Sequence, residues 1–255
     1  MSKEPTIAVV CAIYNEEFLL GQFLEHYSRQ VDRIFLIDNH STDGSVKIAR
    51  RYGKVELSSY DSGGKFDDAA LYEAKVSKKN SCAGLYDYVI IVDCDEFIVS
   101  KSGDSIKHRI SELPVEGAYA THGFNMWKHP SEGGYNPAIP LFQQRQWGVE
   151  SVAYSKPVIV GPRFPGNYCM GFHYFENYPQ AFRDIGGASF FLLHYRGVDE
   201  EIFVKRCLSI STRLSSNTLS KGYSTQYHHK SEKDFREEFQ RESNHPHRVK
   251  IPIWR

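Results

Sequence analysis

The chain has 255 residues, of which 41% are hydrophobic and 24% charged, and Lys+Arg and Asp+Glu balance at 31 each. That length and composition suit one substantial soluble α/β domain and exclude a disordered, fibrous or membrane-spanning chain. The even charge, with no basic stripe interleaved with aromatics, speaks against a nucleic-acid partner. Five cysteines in no framework spacing (Cys11, Cys82, Cys94, Cys169 and Cys207) read as buried thiols of a reducing compartment. With no signal peptide and no long apolar run, the expectation is a cytoplasmic protein, at most peripheral to a membrane.

In chain order, Ile7 to Ile13 is a buried-strand candidate ending in Tyr14-Asn15-Glu16-Glu17. From Glu17 the apolar spacing becomes helical through Leu19, Leu20, Phe23, Leu24 and Tyr27. Arg33 to Asp38 is a second strand, and the turn-rich Asn39 to Ser45 precedes a helix through Ile48, Ala49 and Tyr52. Val55 to Leu57 is a short strand, Asp61 to Lys65 a loop, and Asp67 to Val76 a helix. Tyr88-Val89-Ile90-Ile91-Val92 then runs without a polar break into Asp93-Cys94-Asp95-Glu96-Phe97. A continuous apolar run of this length suits a strand buried on both faces of a parallel sheet. The alternation predicts right-handed βαβ crossovers, with Asn15, Asp38, Asp93 and Asp95 delivered to one edge where open α/β sheets bind ligands.

Clustered carboxylates at the rim of a core are costly unless a cation shares the site. A divalent ion that also binds phosphate oxygens is the natural partner of such a cluster. The alternative for an isolated Asp-x-Asp is a solvated turn capped by its own side chains.

The second half is less regular. Ala118 to Phe124 and Lys156 to Val160 read as strands, with a long loop from His129 to Pro137 between them. Phe190 to Tyr195 is another apolar run, Glu200 to Leu214 a helix, and the residues from Lys221 onward a solvated tail. No linker or repeat divides the chain, so 1–255 is expected to be one domain.

Taken together, Tyr14-Asn15-Glu16, Ile37-Asp38-Asn39-His40-Ser41-Thr42-Asp43-Gly44-Ser45, Val92 to Phe97, and Leu193-His194-Tyr195 followed by Glu200 to Lys205 resemble the family-2 glycosyltransferases of the GT-A fold. The likeness is to the bacterial branch whose metal motif reads Asp-x-Asp-Glu-Phe, and it is strongest over residues 5–100. It implies a Rossmann-like three-layer α/β/α sandwich with a mainly parallel central sheet. Residues 5–100 would form the nucleotide-sugar half, 101–220 the acceptor half and 221–255 a C-terminal tail. It further implies a UDP-sugar donor, Mn²⁺ or Mg²⁺, and a glycan or lipid-linked acceptor in bacterial surface polysaccharide or lipopolysaccharide synthesis.

Under that resemblance Tyr14 lies against the base, and Asp38 or Asn39 bonds the base or ribose. Ala12, Asn15, Glu16, Lys65 and Cys94 complete the nucleotide contacts. Asp95 ligates the metal, Asp93 bonds the ribose or reaches the metal through water, and His194, or else His173, completes the metal site. Lys156 and Lys205 offset the diphosphate. An inverting displacement needs a general base, for which Glu176, Asp199 and Glu132 are the candidates. Two rivals remain at this point. One is an aspartyl-phosphate hydrolase, although Phe97 stands where that motif wants Thr or Val. The other is a GT-A-like domain that binds a nucleotide-sugar without turnover.

Overall fold

The computed structural model describes residues 4–114, 117–177 and 189–252. Its strands in the first half are β1 (Ile7–Ile13), β2 (Arg33–Asp38), β3 (Val55–Ser59), β4 (Tyr88–Ile91) and β5 (Glu96–Ser100). They continue with β6 (Ala118–Ala120), β7 (His122–Trp127), β8 (Trp147–Glu150), β9 (Pro157–Val160), β10 (Phe190–Gly197) and β11 (Val249–Lys250). The helices of the first half are α1 (Glu17–Ser28), α2 (Ser45–Ala49), α3 (Asp68–Ser81) and α4 (Ile106–Ile110). Those that follow are α5 (Leu141–Gln144), α6 (Glu200–Ser211), α7 (Ser216–Ser220) and α8 (Glu232–Ser243).

A six-stranded sheet runs β3-β2-β1-β4-β9-β6, with β3, β2, β1 and β4 mutually parallel and β9 antiparallel to both of its neighbours. The alternation of β1 explains its two covered faces. Val9, Cys11 and Ile13 pack with Leu20, Phe23 and Leu24 of α1 on one side. Ala8 and Val10 share the other side with Tyr72, Ala74 and Val76 of α3. The expected three-layer α/β/α arrangement with a mainly parallel sheet is therefore present. Each such fully buried aliphatic or aromatic side chain contributes about 1.5–3 kcal/mol.

A second, five-stranded sheet of order β11-β8-β7-β10-β5 was not foreseen. The run expected as one strand from Ala118 to Phe124 breaks at Thr121: β6 closes the first sheet and β7 enters the second. The Thr121 backbone N–H donates to Lys156 O at 3.1 Å across that break.

The expectation of a solvated tail after Lys221 is corrected. Helix α8 opens with a capping box between Ser231 and Asp234, and its Phe235 and Phe239 are buried with Trp127, Phe203, Val204 and Cys207. Strand β11 then adds an edge to the second sheet beside β8. The charged count of this stretch hid an amphipathic helix whose apolar positions lie four apart.

Candidate functional site

Strand β4 stops at Ile91, and the acidic motif forms a turn closed by the Glu96 N–H donating to Asp93 O at 3.0 Å. Glu96 is the first residue of β5, so the motif joins the two sheets rather than ending a strand in solvent. Antiparallel pairing of β10 with β5 sets His194 opposite Glu96, and parallel pairing with β7 sets His194 beside Asn125. Register alone thus brings a histidine from a hundred residues downstream onto the carboxylates.

Each carboxylate of the turn has a defined partner. Asp93 Oδ1 accepts from Lys75 Nζ at 2.6 Å. Asp95 Oδ2 accepts from Arg206 Nη1 at 2.7 Å, and His194 Nε2 lies 3.5 Å from the same oxygen. Glu96, fully buried, pairs with Lys156 Nζ at 2.6 Å while its other oxygen accepts the Asp93 N–H at 3.0 Å. Glu16 Oε1 accepts from Arg206 Nη2 at 2.9 Å, and its Oε2 is buried without a hydrogen-bond partner. Burial works to raise the Asp95 carboxyl, but Arg206 and His194 outweigh it and hold the group well below the usual carboxylate range. At Glu16 burial prevails over Arg206, with Asp95 and Asp93 adding repulsion, and the carboxyl is pushed up to about 7. These groups line a cavity of about 440 Å³ shared by both halves of the chain.

Of the residues expected to meet the nucleotide, Ala12, Tyr14, Glu16, Asn39, Asp93 and Cys94 line the cavity. One face of the Tyr14 ring is covered by the Arg213 guanidinium, 3.5 Å from the ring centroid. Arg213 is fixed there by the backbone: the Phe66 N–H donates to Arg213 O at 2.7 Å and the Ser215 N–H to Phe66 O at 2.9 Å. Three expected contacts lie elsewhere. Asp38 is a turn cap, both of its oxygens accepting the Ser41 N–H at 3.2 and 3.1 Å. Asn15, at φ 54°, accepts the Thr42 N–H at 2.7 Å and ties β1 to the loop after β2. Lys65 is exposed, with its carbonyl accepting from Asn39 Nδ2 at 3.2 Å.

The expected metal ligands Asp93, Asp95 and His194, and the alternative His173, all line the cavity. His194 and His173 flank Tyr154, whose ring stacks on His194 at 3.8 Å between centroids and meets His173 edge-on at 6.0 Å. His173 Nδ1 lies 2.8 Å from Ala153 O. His194 Nδ1 lies 2.8 Å from Asn125 Oδ1, an oxygen that can only accept, so Nδ1 carries a proton, and Nε2 faces Asp95 Oδ2 at 3.5 Å. Among the described residues no group of three or more His, Cys, Asp and Glu is spaced to hold a metal ion by itself. An Asp95 oxygen and His194 Nε2 on one wall of the cavity would give a divalent ion two protein ligands and leave its remaining positions to phosphate oxygens.

Lys156 faces the carboxylates, but Lys205 is exposed on α6, and the cation that this helix turns inward is Arg206. None of the three expected bases lines the cavity. Glu132 accepts the His129 and Gln146 N–H groups, both at 2.9 Å, and staples its own loop. Asp199 is the N-cap of α6, accepting the Glu201 N–H at 3.2 Å. Glu176 is exposed, its backbone N–H bonded to Asn167 O at 2.9 Å.

Lys75, Arg206 and Arg213 went unforeseen. Lys75 had a signal: with Tyr72, Val76 and Lys79 it occupies one face of α3, and a lysine on an apolar stripe asks for a buried partner. Arg206 had a weaker one, three residues after Phe203 and beside Cys207 on the apolar face of α6.

Residues 8–102 match the family model described as glycosyl transferase family 2, which bears out the resemblance over that segment. A comparison with curated proteins returns no match. Among solved structures, a glucosyl-3-phosphoglycerate synthase from Mycobacterium tuberculosis in complex with Mn²⁺, uridine diphosphate and glucosyl-3-phosphoglycerate is 20% identical at a TM-score of 0.32, covering 48% of this chain and 44% of that one. A mannosyl-3-phosphoglycerate synthase from Rubrobacter xylanophilus is 18% identical at a TM-score of 0.32, covering 55% and 47%. The chain thus spans less than half the length of these structures. No helix among the described residues is long and apolar enough to cross a membrane.

Proposed function

We propose that the chain, which matches glycosyl transferase family 2 over residues 8–102, is a metal-assisted glycosyltransferase using a nucleoside-diphosphate sugar, with UDP as the nucleotide. The observation that carries this reading is the convergence on Asp95 Oδ2 of Arg206 Nη1 at 2.7 Å and His194 Nε2 at 3.5 Å, in a cavity open to a ligand of nucleotide-sugar size. Asp95 and His194 would hold Mn²⁺ or Mg²⁺, which supplies Lewis-acid stabilisation of charge on the departing diphosphate. Lys156 and Arg206 add positive charge on the same side. Residues 5–100 supply Tyr14, Asn39 and the acidic turn for the donor, and residues 101–220 the surface facing the acceptor. The residues from Lys221 onward contribute Tyr223 and Tyr227 to the cavity wall.

Inverting displacement requires a group that takes the acceptor proton as the hydroxyl attacks the anomeric carbon. Glu16, Asp68 and His173 line the cavity and can accept one. Arg206 occupies Glu16, and Thr218 and Ser224 occupy Asp68 at 3.0 and 3.1 Å. His173, with Nδ1 on Ala153 O, keeps Nε2 as an acceptor and is the assigned base. The acceptor is read as a glycan or lipid-linked hydroxyl of surface polysaccharide or lipopolysaccharide assembly, on the lineage of the motif. The test is release of UDP from a panel of UDP-sugars with Mn²⁺, with and without acceptor glycans. Acceptor-stimulated release that His173→Gln slows about 10²-fold or more supports the reading. Release from no UDP-sugar by a folded protein would refute it.

A further inference from the structure

The Arg206 side chain joins Asp95 to Glu16. Its guanidinium bonds Asp95 Oδ2 at 2.7 Å and Glu16 Oε1 at 2.9 Å, and lies 5.6 Å over the Phe18 ring. The oxygen it holds is the one that His194 Nε2 faces at 3.5 Å. A divalent ion held between Asp95 and His194 would lie nearest that same oxygen, so guanidinium and metal compete for it. A guanidinium is also a planar fork whose donors match the oxygens of a diphosphate. A diphosphate in the cavity would offer Arg206 a second set of anionic acceptors just as the metal replaces it on Asp95.

We propose that Arg206 is an exchangeable cation. In the empty site it neutralises Asp95 and Glu16 and keeps the divalent ion out. The nucleotide diphosphate draws it off Asp95 and opens Oδ2 to the metal. The inference rests on the donor site proposed above and adds an order to it: the ion alone binds weakly, and nucleotide and ion strengthen each other. By linkage, the factor by which UDP tightens the ion equals the factor by which the ion tightens UDP.

The experiment titrates Mn²⁺ into wild type, Arg206→Gln and Arg206→Lys, following free Mn²⁺ by electron paramagnetic resonance with and without UDP. Folding of each variant is checked by circular dichroism. The proposal expects Arg206→Gln to bind Mn²⁺ alone about tenfold or more tightly than wild type. The same variant should bind UDP alone more weakly, so that the mutual enhancement shrinks. Arg206→Lys should fall between, since an ammonium neutralises Asp95 but cannot span both carboxylates. If Arg206→Gln binds Mn²⁺ alone no better than wild type while UDP and Mn²⁺ still bind together, the exchange is wrong and the donor site stands. If wild type binds neither Mn²⁺ nor UDP, the donor site fails and the exchange with it.

Discussion

Lys75 Nζ lies 2.6 Å from Asp93 Oδ1, and the lysine is the far more buried partner, its side chain 3% exposed against 49% for the aspartate. The ammonium is held against the sheet with the Phe172 ring 4.8 Å away, while the carboxylate opens to the cavity. Removing the aspartate strands a buried charge; removing the lysine leaves a carboxylate that water can reach. Asp93→Ala should cost about 3–5 kcal/mol and Lys75→Met about 1–2 kcal/mol or less. Urea unfolding of the two variants measures the difference, and equal losses would mean that the lysine is not the stranded partner.

The pH dependence of stability should show two opposed contributions. Glu16 has its carboxyl raised to about 7, so from pH 4.5 to 7 the folded state holds more protons than the unfolded chain, and stability falls as pH rises. His26 bonds Ile98 O at 2.8 Å, and burial lowers its imidazole to about 4; between pH 4 and 6.5 the folded state holds fewer protons, and stability rises with pH. Each effect is on the order of 3 kcal/mol over its window, so they largely cancel up to pH 6.5. Asp95, held low, contributes only below the usual carboxylate range. Melting temperatures of Glu16→Gln should therefore climb from pH 4 to 6.5 where wild type stays nearly flat. A variant profile as flat as wild type would exclude Glu16 as the compensating group.

Asp199 and Glu132 act on the scaffold. Asp199→Ala loses the N-cap of α6, worth about 1 kcal/mol, and Glu132→Ala frees two backbone donors at a cost of about 1–3 kcal/mol. Both should melt earlier than wild type yet keep turnover within about threefold, in contrast to the 10² or more expected for loss of a general base. A large fall in turnover with an unchanged melting temperature would restore either residue to the catalytic role.

Gly123 controls the wall behind His194. A Cβ there would meet the Tyr154 backbone carbonyl carbon at 2.1 Å, and Tyr154 stacks on His194. Gly123→Ala must push that segment away, with a stability loss of about 1–3 kcal/mol. It should also weaken metal-dependent UDP binding, although Gly123 touches no ligand. Titration of UDP by calorimetry checks this, and wild-type affinity in the variant would show that Tyr154 does not position His194.

The first half of the fold was legible because its physics is local. Ile7–Ile13 and Arg33–Asp38 are apolar runs closed by polar residues, and α1 announces itself through Leu19, Leu20, Phe23 and Leu24. The acidic turn was legible for the same reason. What stayed hidden depends on pairing across the chain. The second sheet brings β5 beside β10, and periodicity in neither strand specifies that partner or its register. Arg206 and Lys75 were missed although both lie on apolar helix faces, because a charged side chain on a helix is ordinarily solvent-facing. Asp38 ends its parallel strand as expected and caps the turn that follows, both oxygens accepting the Ser41 N–H, a local role that the sequence reading did not give it.

The central claim, a nucleoside-diphosphate and metal site built on Asp95, is tested most directly by thermal unfolding of wild type and Asp95→Asn with UDP, Mn²⁺, both and neither. A ligand that binds only the folded state stabilises it by about 2.7 kcal/mol at a hundred times its dissociation constant. The account predicts a rise of several degrees in wild type with UDP and Mn²⁺ together, a smaller rise with either alone, and in Asp95→Asn no rise with the pair beyond that with UDP alone. A flat response in folded wild type, or an equal rise in both proteins, would contradict it.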